Sequence, residues 1–546
     1  LRYDIALPIK EQHDLLTNFD PAVGIVQVGR DISQPYDTDK NNFSPRLSVA
    51  WDMFGTGKTV LRTGGGLIYE IPHISAFIGQ NNTNALGIGL NPSGLPGAPV
   101  GPKGGTINAT TFFPDPDDVS ANWKAGLPAF GNLDPTQVSC SADSPCPVFG
   151  IAKNLATPYT LNWNLNIQQE TWRNAALTVA YVGNKGNKLY SIFDTNQNIY
   201  ANDEGVLDGG SPDEQTGRPF FNKFPTLSNI YQLANHDNSI YHGLQVTLRQ
   251  NTTKGLYFVA GYTWSHAIDD ASSNRQFNIQ NSYNPAAERS NADSDIRNRF
   301  TLAMTYDLPS KKGFAQMLQG WTVNSIFTAQ GGSPLFFYDS FNDISGTSEF
   351  NDHWNISGDP RNIHWSKDPN KPIPFYDVPA FTTVAEDPSD PDSLLHVTGG
   401  TDPVSQACYN QAFTLGGQPG ADQLIGGPDE SIFGGCFAEG GTIITPPAPG
   451  QFGNMKRNVI YGPGYVDLDF SIIKHFKLGE RFALELRGEF FNILNHPNFA
   501  DPDHDLSDGS AGTVGVAQFT PDIFESNPVI GSGGSRHIQV GAKIIW

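Results

Sequence analysis

A period of two in side-chain polarity recurs along this sequence and constrains its fold more than any other feature. In the segment 159–169, apolar side chains stand at the odd positions, from Tyr159 to Ile167, and amides stand at Asn162, Asn164, Asn166 and Gln168. Successive side chains of a β-strand point to opposite faces, so the pattern predicts a strand with one apolar and one polar face. A sheet covered on both faces would not carry four amides on one of them.

The connections between the predicted strands alternate between short and long. We predict about twelve strands, the first at 1–7 and the last at 537–546, from the same alternation. The short connections are 54–58, 170–174, 251–255, 309–320 and 478–480, and the long ones are 8–43, 70–158, 184–238, 266–296, 331–462 and 495–535. Membrane barrels have short periplasmic turns and long extracellular loops, whereas a soluble sandwich has no reason to sort its loops this way. An even strand number places the C-terminus on the short-turn, periplasmic side.

Large aromatic side chains fall at both ends of the predicted strands. Trp172, Trp321 and Trp546 stand at short-turn ends, and Tyr69 and Trp264 stand at long-loop ends. Aromatic belts occupy both water interfaces of membrane barrels. The alternative is that these are ordinary strand aromatics, which sheets favour in any case. The sequence therefore predicts an all-β, antiparallel transmembrane barrel with long extracellular loops.

The charged residues of the chain limit the classes of partner that it can bind. Charged residues make up only 16% of the sequence, the formal net charge is −21, and no run of Lys or Arg stands out. These properties argue against a nucleic-acid partner and are typical of solvated acidic loops. No apolar run reaches the ~18 residues that a transmembrane helix needs. A barrel strand crosses with ~9–11 residues that are apolar only at alternate positions.

The four cysteines are Cys140, Cys146, Cys408 and Cys436. An even number in an exported protein indicates disulfides, and the spacings favour two local pairs, Cys140 with Cys146 and Cys408 with Cys436. Neither pair has the CxxC spacing or the nearby His typical of a metal site.

Catalytic and cofactor motifs are missing from the sequence. We find no nucleophile elbow, zinc-protease or phosphate-loop pattern, so we predict no enzyme activity, no cofactor and no metal. The glycine spacing before GTGKT at 55–59 does not fit a phosphate loop. The acidic segment 501–509 has the aspartate spacing of a calcium loop but lacks its sixth-position glycine and closing glutamate. Calcium binding there stays open, with a solvated acidic loop as the alternative. His496, between Asn495 and Pro497, suits a turn better than a ligand.

Eight segments together resemble the Oar-like TonB-dependent receptors of acidobacteria and their relatives. They are NNFSPRLSVAWDMFGTGKTVLRTGGGLIYE at 41–70, TPYTLNWNLNIQQE at 157–170, VAYVGNKGNKLY at 179–190, YHGLQVTLRQ at 241–250, YTWSHAIDD at 262–270, AERSNADSDIRNRFTLAMTYDLP at 287–309, RNVIYGPGYVDLDFSIIKHF at 457–476 and LRGEFFNILNHPNF at 486–499. Each segment alone is weakly specific, but their order along the chain fits the family.

The resemblance implies a barrel of about twenty-two strands, an even number within the known range. Residues 1–546 would be its C-terminal part, with the signal peptide, energy-coupling box, plug and first strands outside the present sequence. The implied protein is an outer-membrane receptor that transports an unidentified extracellular ligand, bound mainly by the loops 70–158 and 331–462. Its implied partners are outer-membrane lipid, a TonB-type coupling complex reached through the N-terminal region, and the barrel assembly machinery, for which the terminal Trp546 resembles a recognition signal.

Two other functions stay open at this stage. The first is a structural or adhesive surface barrel without transport, which an upstream plug and coupling box would argue against. The second is a barrel enzyme, which would need a Ser/His pair on one inner or rim face. No convincing pair stands out in the sequence.

Overall fold

The protein is described by a computed structural model that is almost entirely β-structure. It describes residues 1–10, 17–70, 145–172, 174–198, 216–272, 279–309, 316–339, 351–363, 450–502 and 534–546, with further short pieces at 142, 345–347, 349, 382–385, 395–398, 437–439, 442–445, 447 and 504. In this part of the chain, no helix is long and apolar enough to cross a membrane.

One large antiparallel sheet, called the wall here, contains the long strands. They are β1 Arg46–Asp52, β2 Thr59–Tyr69, β3 Tyr159–Trp172, β4 Ala175–Asp194, β5 Leu227–Thr253, β6 Leu256–Asp269, β7 Asn298–Asp307, β8 Trp321–Gln330, β9 Tyr465–Lys477, β10 Ala483–Phe491 and β11 His537–Ile545. Each strand pairs with the next along the chain, so the wall is a meander from β1 to β11. This topology confirms the predicted antiparallel order and the alternation of short and long connections.

Two of the short connections are tight hairpin turns. Between β5 and β6, Lys254 and Gly255 both have positive φ, 52° and 84°. Two successive positive φ angles make the turn whose twist matches that of paired strands. Between β3 and β4 the turn contains Asn174, with φ of 64°. Asn tolerates this left-handed conformation better than most residues, which explains its place in the turn.

The predicted first strand at 1–7 is much shorter than expected. Only Arg2–Tyr3 pairs, with Phe43–Ser44, and Asp4 donates to the Asn42 carbonyl on the loop side of that pair. Past this pair, Phe43 N bonds to the Asn41 carbonyl of its own segment, so residues 39–41 do not continue the ladder with residues 5–7. In the described structure, β1 and β11 each pair on one side only, so the wall has two open edges.

Short strands and turns lie beyond the long-loop end of the wall. They are Thr17–Asp20 with Gly24–Gln27, Pro334–Leu335 with Ile460–Tyr461, Tyr338–Asp339 with Asp352–His353, Asn355–Ser357 and Phe437–Glu439 with Thr442–Thr445, Thr382–Ala385 with Leu395–Thr398, Cys146–Ile151 along β5, Ser290–Asn291 along β6, and the 3-10 turns Pro285–Glu288 and Pro360–Asn362. We call the described residues 17–42, 145–158, 188–198, 216–238, 270–297, 331–363, 437–445 and 450–464 the loop layer.

The buried apolar core lies in the loop layer. Its three clusters contain Leu335, Phe336, Phe337, Trp354, Ile363, Ile444, Met455 and Ile460; Tyr36, Phe149, Ile151, Leu155, Tyr190, Ile192 and Leu233; and Phe19, Val148, Leu227 and Ile230. The long strands β4 and β5 continue into this layer and supply residues to it. The loop layer is therefore packed like a small soluble protein on one end of the wall.

Candidate functional site

The outer face of the wall is apolar from strand to strand. Directly paired residues share a face, so the registers identify rows that cross the sheet. One row consists of Trp51, Leu61, Ile167, Val179, Val246, Tyr262, Phe300, Ala329 and Val466. Large side chains of this face are unusually open, and Leu165 is 45% exposed. An apolar surface this broad needs an apolar solvent, which fits the lipid side of a membrane barrel.

The inner face is polar along the matching row. That row consists of Val60, Gln168, Thr178, Thr247, Gly261, Thr301, Thr328 and Asp467. Hydrogen bonds connect neighbouring strands across it, including Arg62 Nη1 to Gln168 Oε1 at 2.7 Å and Asn184 Nδ2 to Asn162 Oδ1 at 2.7 Å. The four amides of β3 therefore lie on the wet face, as the alternation predicted.

Neutral and charged groups occupy different parts of the inner face. Amides and hydroxyls dominate β3 to β8, where Asn324 bonds both Thr305 and Ser471. Charged groups concentrate on β9 to β11, where Arg487 bonds Glu485 and lies 3.6 Å from Glu489. This wall can line an aqueous lumen or contact a polar domain inside it.

The aromatic residues predicted to mark the interfaces lie at the ends of the strands. Trp172 ends β3, Trp321 begins β8, and Trp546 follows β11, all on the short-turn side. At the other end, Tyr69 packs against Tyr159, with ring centroids 5.6 Å apart. Their positions at both rims agree with an aromatic belt.

Arg218 organises one buried polar cluster in the loop layer. Its Nη1 lies 3.3 Å from Asp194 Oδ2 and donates to the Asn196 carbonyl at 2.8 Å. Asn229 Nδ2 bridges Asp194 Oδ2 at 3.0 Å and Glu349 Oε1 at 3.1 Å. Burial and the adjacent Asp194 raise the pKa of Glu349 well above its ordinary value, so a protonated Glu349 donates to Asp194.

Arg457 organises the second buried cluster. Its Nη2 bonds Asp269 Oδ1 at 2.7 Å, and its Nε lies 3.7 Å from Glu288 Oε2. Burial raises the pKa of Glu288 to about 7, against the lowering effect of Arg457. His353 Nδ1 donates to the Met455 carbonyl at 2.8 Å, so its Nε2 lone pair faces Glu288 Oε2 at 3.4 Å. Burial lowers the pKa of His353 to about 4 and keeps this imidazole neutral.

Two glutamines tie these clusters together. Gln197 Nε2 donates to the Gln280 carbonyl at 2.8 Å and to Thr347 Oγ1 at 3.0 Å. Gln280 Nε2 in turn donates to the Gly453 carbonyl at 2.9 Å, and Gln280 Oε1 accepts from His353 N at 3.2 Å. Where the backbone is irregular and forms no strand ladder, side chains supply the hydrogen bonds that buried polar groups require.

The segment 492–498 closes the long-loop end of β9 by similar means. The Asn498 amide accepts from Val466 N at 2.8 Å and donates to the Val466 carbonyl at 3.0 Å, as a paired strand would. Asn492 N bonds Asp469 Oδ1, and Asn492 Oδ1 accepts from His496 N at 3.0 Å. Asn495 N bonds to the Asn492 carbonyl, so residues 492–495 form a turn, and His496 directly follows it.

Several predicted features fall outside the described residues. Cys140, Cys408 and Cys436 lie there, and only the backbone of Cys146 is described, so the disulfide pairs stay predictions. Most of the acidic segment 501–509 also lies outside. Within the described chain, no group of three or more His, Cys, Asp or Glu side chains is arranged to hold a metal ion.

Sequence reasoning missed the Arg218 and Arg457 clusters. Arg457 and Asp269 are 188 positions apart, so no local spacing joins them. The only available signal is in the RNVIYGPGY and AERSNADSDIRN segments, which contain Arg, Asn and acidic residues without a strand period. Such residues in a long loop hint at buried polar contacts but do not identify partners.

The outer membrane beta barrel domain family matches residues 1–539. No curated protein matches the sequence significantly. Among solved structures, the outer membrane transporter YddB from Escherichia coli is similar at a TM-score of 0.38 and 10% identity, over 93% of this chain and 42% of that one. The ferric-catecholate import receptor Fiu from E. coli K12 is similar at a TM-score of 0.34 and 9% identity. The match covers 96% of this chain and 37% of Fiu.

A third similar structure is the ferripyoverdine receptor of the outer membrane of Pseudomonas aeruginosa, at a TM-score of 0.34 and 8% identity. The match covers 95% of this chain and 34% of that receptor. The chain spans less than half of each of these three proteins.

Proposed function

Since this chain belongs to the outer membrane beta barrel domain family, we propose that it is part of an outer-membrane receptor that transports an unidentified extracellular ligand. The observation that carries the proposal is the pairing of a two-faced wall with a folded loop layer at one end. An apolar outer face suits lipid, a polar inner face suits an aqueous passage, and a packed loop layer can present a defined surface to a ligand.

We further propose that the chain is the C-terminal part of a larger barrel whose plug and coupling box lie outside it. Two observations support this. The edge strands β1 and β11 each have one unpaired side, and both expose large apolar residues, including Leu47 and Val540. Unpaired edges of this kind are avoided in closed barrels. TonB-type coupling follows from the resemblance of the sequence to Oar-like receptors.

In this proposal the loop layer is extracellular and the short turns are periplasmic. Val23 is exposed in the loop layer, and Lys254 is exposed in the turn between β5 and β6. We expect an impermeant maleimide to label Val23→Cys on intact cells and Lys254→Cys only after the outer membrane is opened. The reverse pattern would contradict the orientation.

Transport is testable with the full-length protein expressed in an E. coli strain lacking its own ferric receptors. The probes are radiolabelled ferric siderophores, maltodextrins and short peptides. We expect at least one to accumulate in the periplasm, and accumulation to stop when tonB is deleted or the coupling box is removed. If probes bind to the cell surface but none of them accumulates in the periplasm, the result would instead favour the structural or adhesive alternative.

Assembly by the barrel assembly machinery is a separate proposal, and it concerns Trp546. This residue follows β11 and is 87% exposed, so it contributes little to packing. We expect deletion of Trp546 to lower the amount of full-length protein in the outer membrane, while Trp546→Phe keeps the aromatic end and preserves that amount. Equal membrane levels for all three proteins would remove Trp546 as an assembly signal.

A further inference from the structure

The pairing registers place two lysines, Lys185 and Lys474, on the outer face of the described wall strands, one near each rim. Lys474 is near the short-turn rim. Its Nζ donates to the Gln316 and Gln319 carbonyls and lies 5.3 Å from the centroid of the Trp321 ring and 4.6 Å from that of Phe476. The protein itself therefore solvates this cation, and Lys474 is buried.

Lys185 lies near the opposite, long-loop rim and differs from Lys474 in both its exposure and its hydrogen bonding. Its side chain is exposed, and none of the described residues gives it an ion pair or a side-chain hydrogen bond. Its paired neighbours on the same face are Leu161 and Ile240, both apolar. A lysine placed there extends its ammonium beyond the apolar band and meets whatever lies at that level.

His242 is a polar neighbour of Lys185 on the same face, on the adjacent strand β5. Lys185 pairs with Ile240, so His242 is a diagonal neighbour one pair closer to the centre of the wall. His242 Nδ1 is 2.7 Å from Tyr181 Oη, which fixes the ring and leaves Nε2 for another partner. The ring stacks on Tyr181 and meets the edge of Trp163, with centroids 6.1 Å away in both cases.

Trp163 forms the floor of this arrangement because a glycine makes room for it. A Cβ at Gly183 would lie 2.2 Å from the Trp163 indole, so only glycine lets the ring lie flat across β4. The result is an aromatic shelf that contacts the His242 imidazole and lies on the same face as Lys185. We call Trp163, Tyr181, Lys185 and His242 the rim cluster.

The Asp295 carboxylate, which contacts His266, is already engaged. Asp295 is fully buried and lies 2.7 Å from Arg297 Nε and 3.4 Å from His266 Nδ1. His266 is paired with His242 across the sheet. Lys185 places a positive charge on the outer face at this rim, in a chain whose formal net charge is −21. A surface of that sign beside an apolar band is complementary to an anionic lipid headgroup.

We propose that the rim cluster binds the phosphate group of an outer-leaflet lipid through Lys185 Nζ and His242 Nε2. The acyl chains of that lipid lie along the apolar stripe that continues through Leu161 and Leu165. Lys binds phosphate as a point charge, and an aromatic shelf suits the interface between headgroup and chain. The proposal depends on the membrane position of the wall and is independent of transport.

Lipid binding by the full-length protein tests this directly. The purified protein in a neutral detergent is titrated with phosphatidylglycerol and, separately, with phosphatidylcholine, and bound lipids are counted by native mass spectrometry. We expect a preference for phosphatidylglycerol that Lys185→Gln weakens about five-fold, and that His242→Asn also weakens. Lys254→Gln, the matched charge removal at the short-turn end, should leave it unchanged.

Two outcomes would overturn the proposal. One is an equal loss in Lys185→Gln and Lys254→Gln, which would mean that net charge alone attracts the lipid. The other is displacement of phosphatidylglycerol by millimolar inorganic phosphate, which would mean that the site takes free phosphate rather than a lipid. A melting temperature within about two degrees of wild type for each variant shows that a loss reflects binding and not unfolding.

Discussion

The wall and the loop layer of this protein solve the problem of burial in opposite ways. In the wall, apolar side chains such as Leu165 point outward and stay open, while the polar side chains point inward. In the loop layer, Leu233 and Trp354 are 0% exposed, and charged groups such as Arg218 are buried among hydrogen-bond partners.

The difference reflects the solvent around each region. Backbone hydrogen bonds of the wall are satisfied by continuous ladders, so its side chains need only match lipid on one side and water on the other. The loop layer has irregular backbone surrounded by water, so it needs a buried apolar core and side-chain hydrogen bonds to be stable. Equivalent substitutions in the two regions should therefore have different effects.

The largest difference is expected for ion pairs. Arg218→Ala should destabilise the loop layer by about 3–5 kcal/mol, because Asp194 would keep a buried charge without its partner. Arg487→Ala on the inner wall should change stability little, because Arg487 is open to solvent. Hydrogen exchange of backbone amides in the folded protein measures both. Equal protection of the loop layer in Arg218→Ala and wild type would contradict the burial of this pair.

Truncation of an apolar residue should distinguish the regions next. Leu233→Ala leaves a cavity in the loop-layer core and should cost about 2–5 kcal/mol. Leu165→Ala should cost much less, because lipid tails fill the space left on the outer face. Denaturant titration of the protein folded in lipid vesicles compares the two. A similar, severe loss at Leu165 would point to a packed soluble core at β3.

A charge on the wall should distinguish its two faces. Leu165→Arg places a cation toward lipid and should cost about 2–4 kcal/mol if the site is near the membrane centre. Asn164→Arg places the same cation on the inner face, where Gly64 and Val182 are the paired neighbours and leave room. The matched pair is compared by folded yield in vesicles. Equal yields would remove the assignment of lipid and water to these faces.

The last difference is in pH dependence, and it belongs to the loop layer. Burial raises the pKa of Asp237 and Glu288 to about 7, and it also raises that of Glu349 well above its ordinary value. A raised carboxyl pKa contributes stability that is full below the ordinary value, near 4, and is lost as pH rises through the folded value. The pKa of His353 is lowered to about 4, so the stability that it contributes increases as pH rises from 4 to its ordinary pKa of 6.5.

The carboxyls outnumber the imidazole, so the loop layer should loosen from pH 5 to pH 8. Each group contributes about 1.4 kcal/mol per pH unit between its two pKa values. Glu349→Gln keeps the neutral form at all pH values and should flatten part of this slope. Hydrogen exchange at pH-corrected rates measures it, and an identical slope in wild type and Glu349→Gln would exclude Glu349 as a contributor.

Most of the wall could be predicted from the sequence because its information is local. The alternation in 159–169 gives the strand, its two faces and its wet side without knowledge of any partner. Turn residues such as Lys254 and Gly255 also act locally, through φ. The first strand is shorter than predicted because alternation at 1–7 carries no information about the segment opposite it, where Phe43 N bonds to the nearby Asn41 carbonyl.

The sequence by itself determined the class of fold, the order of the strands and which side chains face lipid, since period-two polarity and loop length are properties of neighbouring residues. Only the tertiary structure decided how Arg218 meets Asp194 and Glu349, how Arg457 meets Asp269, and that Lys185 stands exposed beside His242. The physical reason is that such contacts depend on where separate loops and strands meet in space. No period along the chain encodes a meeting between residues that are far apart in sequence.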